Sequence, residues 1–213
     1  MKWEQIPLGP LQTNAYVLSN EKGECLIFDP GAEGSKLSAL LKEQNLKPLA
    51  VLLTHAHFDH IGALSRIRSE YNIPVYLHKE EKDWLADPEL NGSALFMIGN
   101  PVSADPADHL IEAEGRITIG PFSMQVFETP GHSPGSVSFY FADEGIAFSG
   151  DALFAGSIGR TDLPGGNHDQ LIESIHKKLL VLPENTTVAP GHGPETTIAN
   201  EMDGNPFLNG FDF

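Results

Sequence analysis

Among 213 residues there is one cysteine, Cys25, so no disulfide can close within the chain, and a reducing compartment fits. Its setting in "ECLIFD" marks it as a small buried strand residue. Positive charge is also scarce: 13 Lys and Arg stand against 29 Asp and Glu, a formal charge of −16. Such a chain repels phosphate backbones and anionic lipid unless a basic patch reverses the field locally, and the sequence has none. Nucleic acid and membrane are therefore excluded as expected partners. No apolar run approaches the length of a bilayer span. The opening stretch, MKWEQIPLGPLQTNAYVLS, lacks the basic segment, apolar core and small-residue cleavage site of an export signal, so a cytoplasmic enzyme is expected. Low-complexity tracts and long charge runs are missing too, and 40% apolar with 20% charged residues is the balance of a folded globular protein. The length suits one substantial core, expected as a single domain over residues 1–213.

What the chain does contain is nine histidines, three of them packed with an aspartate into THAHFDH, residues 54–60. The segments around it alternate. "AYVLS" and "CLIFD" read as a hairpin across "NEKGE", and "KLSALLKEQNL" repeats leucine at helical spacing. "LAVLL" is a buried strand that stops at the histidine motif, "IGALSRIRSEY" a helix, and "IPVYLH" a further strand. This is an α/β pattern. Residues 79 to 115 carry a short helix at "EEKDWLA" and then many breakers, an irregular insertion that could cover a site; its 85–105 part suits the shaping of an acyl pocket or an interface, and Trp84, Leu95, Phe96 and Met97 suit a small core of its own equally well. "RITI", "FSMQVFET", "SVSFYFA" and "GIAFS" follow as strands, "HDQLIESIHKKLLVL" as the last helix and "TTVAP" as the last strand. Two strand ends share a device: "VFETPGHSPG" and "TVAPGHGPE" both run into Pro-Gly-His, a rigid turn able to present His132 and His192 at a sheet edge.

Divalent ions take neutral imidazoles and carboxylates, and strand ends that converge on one crevice supply them. His55 and His57 lie two apart, so an extended backbone sends both side chains to one side, while Asp59 and His60 fall where the chain bends into a helix. Each pair falls short of a stable site, and His132, His192 and Asp151 in "FSGDALF" are the natural suppliers of the rest. A single histidine after a strand is ordinarily a hydrogen-bonded structural residue, and a lone Asp151 would be a turn former. As a set they point to a metal centre. His78, His109, His168 and His176 lack such partners and read as structural or surface residues.

HxHxDH followed in order by His, Asp and His resembles the metallo-β-lactamase fold superfamily over nearly the whole chain. The resemblance implies an α+β fold, a four-layer αββα sandwich. It also implies two divalent ions, zinc first with iron or manganese as alternatives: one held by His55, His57 and His132, the other by Asp59, His60 and His192, with Asp151 bridging. Two ions contribute about +4 and two carboxylates with a shared hydroxide about −3, leaving roughly +1 to favour an anionic transition state. Asp59 is the catalytic candidate, as acceptor of a hydrogen bond from that hydroxide. No serine or cysteine nucleophile is then needed.

The stretch "GDALFAGSIGRTDLPGGNHDQLIESI" is similar to the glyoxalase II-like branch, hydrolases of S-(2-hydroxyacyl) thiol conjugates such as S-lactoyl thiols, and closest to its short bacterial members. Longer members use a lysine to bind the conjugate where Arg160 stands here, and arginine grips a carboxylate bidentately, so Arg160 is the substrate-binding candidate. The chain ends about twenty residues after His192, without the helical extension that adds glutathione contacts in longer members, so the thiol is glutathione or another small thiol. A thiol of pKa about 8.5 leaves as thiolate without a proton donor. The alternative is a persulfide dioxygenase, similar in sequence, with one non-haem iron on His55, His132 and Asp151. A non-catalytic metal-binding protein is the third reading. Flavodiiron proteins place Glu at the position of His57, nucleases of the fold carry basic surface, and true β-lactamases usually lack the full motif; these branches fit less well. No motif points to an oligomeric state.

Overall fold

The structure, a computed structural model, describes residues 1–97 and 99–209. They form two compact units, Met1–Glu112 and Ala113–Phe213.

The first unit is built on a six-stranded sheet. Strands β1 (Lys2–Leu8), β2 (Thr13–Ser19) and β3 (Glu24–Phe28) form an antiparallel meander. β4 (Lys47–Leu52), β5 (Val75–His78) and β6 (His109–Ile111) then add in parallel with β3. Parallel neighbours need crossovers, which helices α1 (Gly34–Glu43), α2 (Phe58–Ile61) and α3 (Leu64–Tyr71) supply. Leu37 and Leu41 of α1 and Leu64 and Ile67 of α3 pack with Val51 and Val75 of the sheet, in a core that includes the buried Cys25.

The periodic stretch at 61–71 is expected as one helix, yet two form. A Cβ on Gly62 would lie 2.2 Å from the carbonyl oxygen of Gly31, so the chain passes main chain to main chain and breaks between α2 and α3. The helix expected at "EEKDWLA" is only a 3₁₀ turn, Lys79–Glu81. The insertion carries α4 (Ser93–Phe96) and ends in β6, a strand too short to show any periodicity. Trp84 is buried in the first unit's main core, whereas Leu95, Phe96 and Met97 are exposed, so these four do not pack as a separate small core. Residue 98 of the insertion lies outside the described residues.

The second unit holds another six-stranded sheet. β7 (Gly115–Ile119), β8 (Phe122–Glu128), β9 (Val137–Phe141) and β10 (Ile146–Gly150) are antiparallel, and β11 (Leu153–Phe154) and β12 (Ser157–Ile158) form a separate small hairpin. Helix α5 (His168–Ser174) starts at Asn167, whose side chain accepts from the Gln170 N–H, and runs on as a π turn over Ile175–Leu179. β13 (Thr187–Pro190) pairs in parallel with β10, and β14 (Thr196–Thr197) with helix α6 (Ile198–Gly204) closes the unit. Leu171, Ile175 and Leu179 pack with Ala147 and Val188. Among the described residues no helix is long and apolar enough to cross a membrane.

Candidate metal centre

In the first unit, β4 delivers the THAHFDH segment from its C-terminal end. His55, His57 and His60 are buried, with ring centroids 4.8 Å apart for His55 and His57 and 4.1 Å for His55 and His60. Asp59 Oδ2 lies 3.6 Å from His60 Nε2 and accepts from the Thr13 hydroxyl at 2.7 Å. The close passage beneath Asp59 needs glycine: a Cβ on Gly31 would lie 1.8 Å from the Asp59 carbonyl oxygen.

Asp29, directly after β3, organises this group and was not singled out from the sequence, where an acid in "DPGAEG" looks like a turn former. Buried and left-handed at φ 46°, it accepts from the Thr54 N–H at 2.8 Å, the Thr54 hydroxyl at 2.6 Å and His60 Nδ1 at 3.0 Å. The Thr54 oxygen, its proton given to Asp29, accepts in turn from His55 Nδ1 at 3.1 Å. Both Nδ1 atoms therefore carry their protons, and both Nε2 atoms present lone pairs.

In the second unit β8, β10 and β13 run in one direction, with β9 antiparallel between β8 and β10. Their C-terminal ends lead to His132, Asp151 and His192. The Gly191 N–H donates to the Gly150 carbonyl at 2.8 Å, tying the last two ends together. Asp151 Oδ2 lies 3.6 Å from His132 Nε2 and 3.6 Å from His192 Nε2. His132 Nδ1 donates to the Arg160 carbonyl at 2.8 Å; a carbonyl only accepts, so here too Nε2 holds the lone pair. His192 is 30% exposed at its side chain, its ring edge-on to Phe154.

Each of these groups fits a metal. Two donors bound at about 2.1 Å around a near-tetrahedral ion lie about 3.4 Å apart, close to the 3.6 Å seen for three His–Asp pairs and too long for a hydrogen bond. Three of the histidines, His55, His60 and His132, are held as the tautomer that an ion requires. His78, His109, His168 and His176 enter no candidate ligand group among the described residues.

Arg160 is exposed, and its guanidinium makes a bidentate pair with Asp162 at 2.7 and 2.8 Å. Its hydrogen bonds hold the Asp162 carboxyl down at about 2, and the same pairing raises the Arg160 guanidinium. The Gly-Arg-Thr segment also acts through its main chain. A Cβ on Gly159 would meet the Asp151 carbonyl oxygen at 1.8 Å, and the Asn167 N–H donates to the Gly131 carbonyl at 2.7 Å. The stretch that marks the family branch thus lies against the backbone of both Asp151 and His132. Burial pushes the Cys25 thiol up to about 12, which leaves it inert as a nucleophile.

Buried His/Asp clusters at the C-terminal ends of parallel strands define a metal-binding protein of the α+β class. The model of the metallo-beta-lactamase superfamily matches residues 8–192, and the chain belongs to that family and has its fold. It is 60% identical over 211 residues, 99% of each chain, to "Probable metallo-hydrolase YqgX" of Bacillus subtilis. It is 35% identical over 210 residues, 98% of this chain and 99% of the other, to "Hydroxyacylglutathione hydrolase GloC" of Haemophilus influenzae. Among solved structures, BLEG-1 B3 metallo-beta-lactamase superposes with TM-score 0.96 at 60% identity, covering 98% of this chain and 100% of that one. TTHA1623 in a di-iron-bound form superposes with TM-score 0.86 at 44% identity, covering 96% and 100%.

Proposed function

We propose that the protein is a metal-dependent hydrolase of S-(2-hydroxyacyl) thiol conjugates, with residues 1–213 working as one domain in the cytoplasm. In this reading His55, His57 and His132 would hold one divalent ion, Asp59, His60 and His192 would hold the other, and Asp151 would be a ligand to both. Zinc is the first expectation, and iron has support from the di-iron form of TTHA1623. The observation that carries the dinuclear reading is Asp151 Oδ2, a single carboxylate oxygen equally spaced from two imidazole donors. Bound there, two ions supply Lewis acidity for a thioester carbonyl and an activated water at neutral pH.

The chain's own residues do the rest. Asp59, whose Oδ2 accepts from the Thr13 hydroxyl, would ligate one ion and accept a hydrogen bond from the hydroxide. Asp29, directly and through Thr54, and the Arg160 carbonyl engage Nδ1 of His60, His55 and His132 and turn Nε2 of each toward an ion. The Arg160 guanidinium, exposed beside Asp162, is offered to the carboxylate of a thiol conjugate. The substrate is a small molecule, with no part for nucleic acid or membrane. Support for the thioester comes from the 35% identity to a hydroxyacylglutathione hydrolase across nearly the whole chain.

The 60% identity to BLEG-1 brings β-lactam hydrolysis back as a second reading, although the sequence motifs set that branch aside. One experiment separates the readings: elemental analysis of the as-isolated protein, with S-lactoyl thiol hydrolysis, chromogenic cephalosporin cleavage and persulfide-dependent O₂ uptake assayed on the same batch. Two ions per chain with rapid release of thiol is the expected result. A single iron with O₂ uptake and no thioester cleavage would overturn it in favour of a dioxygenase. Cephalosporin cleavage alone would favour the second reading.

A further inference from the structure

β3, β4 and β5 are parallel neighbours, and each ends in a residue that serves the histidine motif. β3 leads to Asp29 and β4 to the motif itself. β5 leads into the 3₁₀ turn that carries Glu81, a glutamate with 0% exposure. Glu81 Oε2 accepts the Ala56 N–H at 2.6 Å. Ala56 is the residue between His55 and His57, so this hydrogen bond fixes the His55–Ala56 peptide unit, within the short main-chain segment that joins two side chains assigned to the same ion. Turning that unit would swing both imidazoles. Two further contacts come from the same segment: the Phe58 N–H donates to the Asn91 carbonyl at 3.0 Å, and the Trp84 ring lies 5.5 Å from the His57 ring. The main chain is thus gripped on both sides of His57, which keeps an extended backbone at φ −65° and ψ 148°.

We infer that Glu81 is a positioning residue of the metal centre, holding the 55–57 main chain so that His55 and His57 face one ion while itself touching no ion. The inference rests on the ligand assignment proposed above. A carboxylate suits the task because an ionised acceptor binds a peptide N–H more strongly than a neutral one. It also gives the segment after β5, otherwise an irregular insertion, a part in the site. In the sequence Glu81 is one of two adjacent acids in "HKEEKDW", with nothing to distinguish it from a solvated turn residue.

The test uses the full-length protein, Glu81→Gln and Glu81→Ala, each stripped and reloaded with Co²⁺. Chelator competition gives the affinity of each ion, visible absorption reports each coordination sphere, and thermal melting is measured on the metal-free form. The wild type should hold two Co²⁺. Glu81→Ala should lose about 10- to 100-fold in affinity for one ion only, with a changed absorption band. Glu81→Gln, which keeps an acceptor oxygen, should lose less, and its metal-free melting temperature should stay at the wild-type value. Wild-type affinities and spectra in both variants would overturn the inference. So would a parallel fall of metal-free stability and of both affinities in Glu81→Ala with a wild-type Glu81→Gln, since that is the signature of a purely structural residue. If the wild type itself holds fewer than two ions, the ligand assignment fails first, and the inference falls with it.

Discussion

The Asp29 carboxylate meets His60 Nδ1 at 3.0 Å, and through the Thr54 hydroxyl the same carboxylate reaches His55. One acid behind the histidines thereby sets the tautomer of two side chains that the proposed assignment gives to different ions. Three donors converge on it, and an amide would offer a single acceptor oxygen. Asn also tolerates the left-handed backbone at φ 46°, so Asp29→Asn should fold. Its metal affinity should fall about 10- to 100-fold for both ions. Chelator competition measures this, and unchanged affinity would show that the tautomers are set elsewhere.

Asp151→Ala removes the proposed bridge. Metal content and thioesterase activity should drop together, activity by about a hundredfold or more, because a direct ligand is lost from both sites. Elemental analysis and a free-thiol assay on one preparation check it. Full activity in this variant would mean that the assignment is wrong.

Gly159→Ala tests the close passage over Asp151. A Cβ there lies 1.8 Å from a carbonyl oxygen, so either the Gly-Arg segment or the Asp151 main chain must move. A stability loss of about 1–3 kcal/mol is expected from overpacking. Loss of metal should accompany it, since the next residue's carbonyl holds His132. Urea unfolding and metal analysis read the two effects.

Arg160→Met separates side chain from main chain. KM for a carboxylate-bearing thiol ester should rise while kcat and metal content hold, because His132 donates to the Arg160 main-chain carbonyl, which the substitution leaves in place. The Asp162 carboxyl should titrate near its ordinary 3.8 instead of about 2, as followed by NMR. A depressed folded-state pKa adds stability above 3.8 that is lost as pH falls through about 2. For a pair this exposed, the effect at neutral pH should be screened away. A fall in kcat at constant KM would assign Arg160 to catalysis instead.

The proposed ligands were legible because each stands where a β-like run stops at glycine, proline or a helix start, and such punctuation survives in a bare sequence. Their supports were not. Asp29 and Glu81 carry no pattern, since an acid in a turn looks the same whether it faces water or a buried N–H. β1 was missed because "KWEQIPL" shows little alternation and contains Pro7, which an edge strand tolerates. β6 has three residues, too few for a period. The helix break at Gly62 depends on Gly31, 31 residues away in sequence, which no local reading can see. In "GRTDLPGGN" the sequence shows side chains, whereas the Arg160 carbonyl and the Asn167 N–H that support the site belong to the backbone.

Cys25, sealed in β3, has a consequence for how the protein is supplied. The chain has no other sulfur able to bind as thiolate, and the proposed ligands are imidazoles and carboxylates, so the donors of that set are nitrogen and oxygen. Sites of that kind rank the divalent ions by the Irving–Williams order and hold no soft ligand to reject one in favour of another. Occupancy then follows the free-ion concentrations in the medium where folding takes place. One polypeptide produced in zinc-rich and in iron-rich cultures should emerge as two different holoproteins.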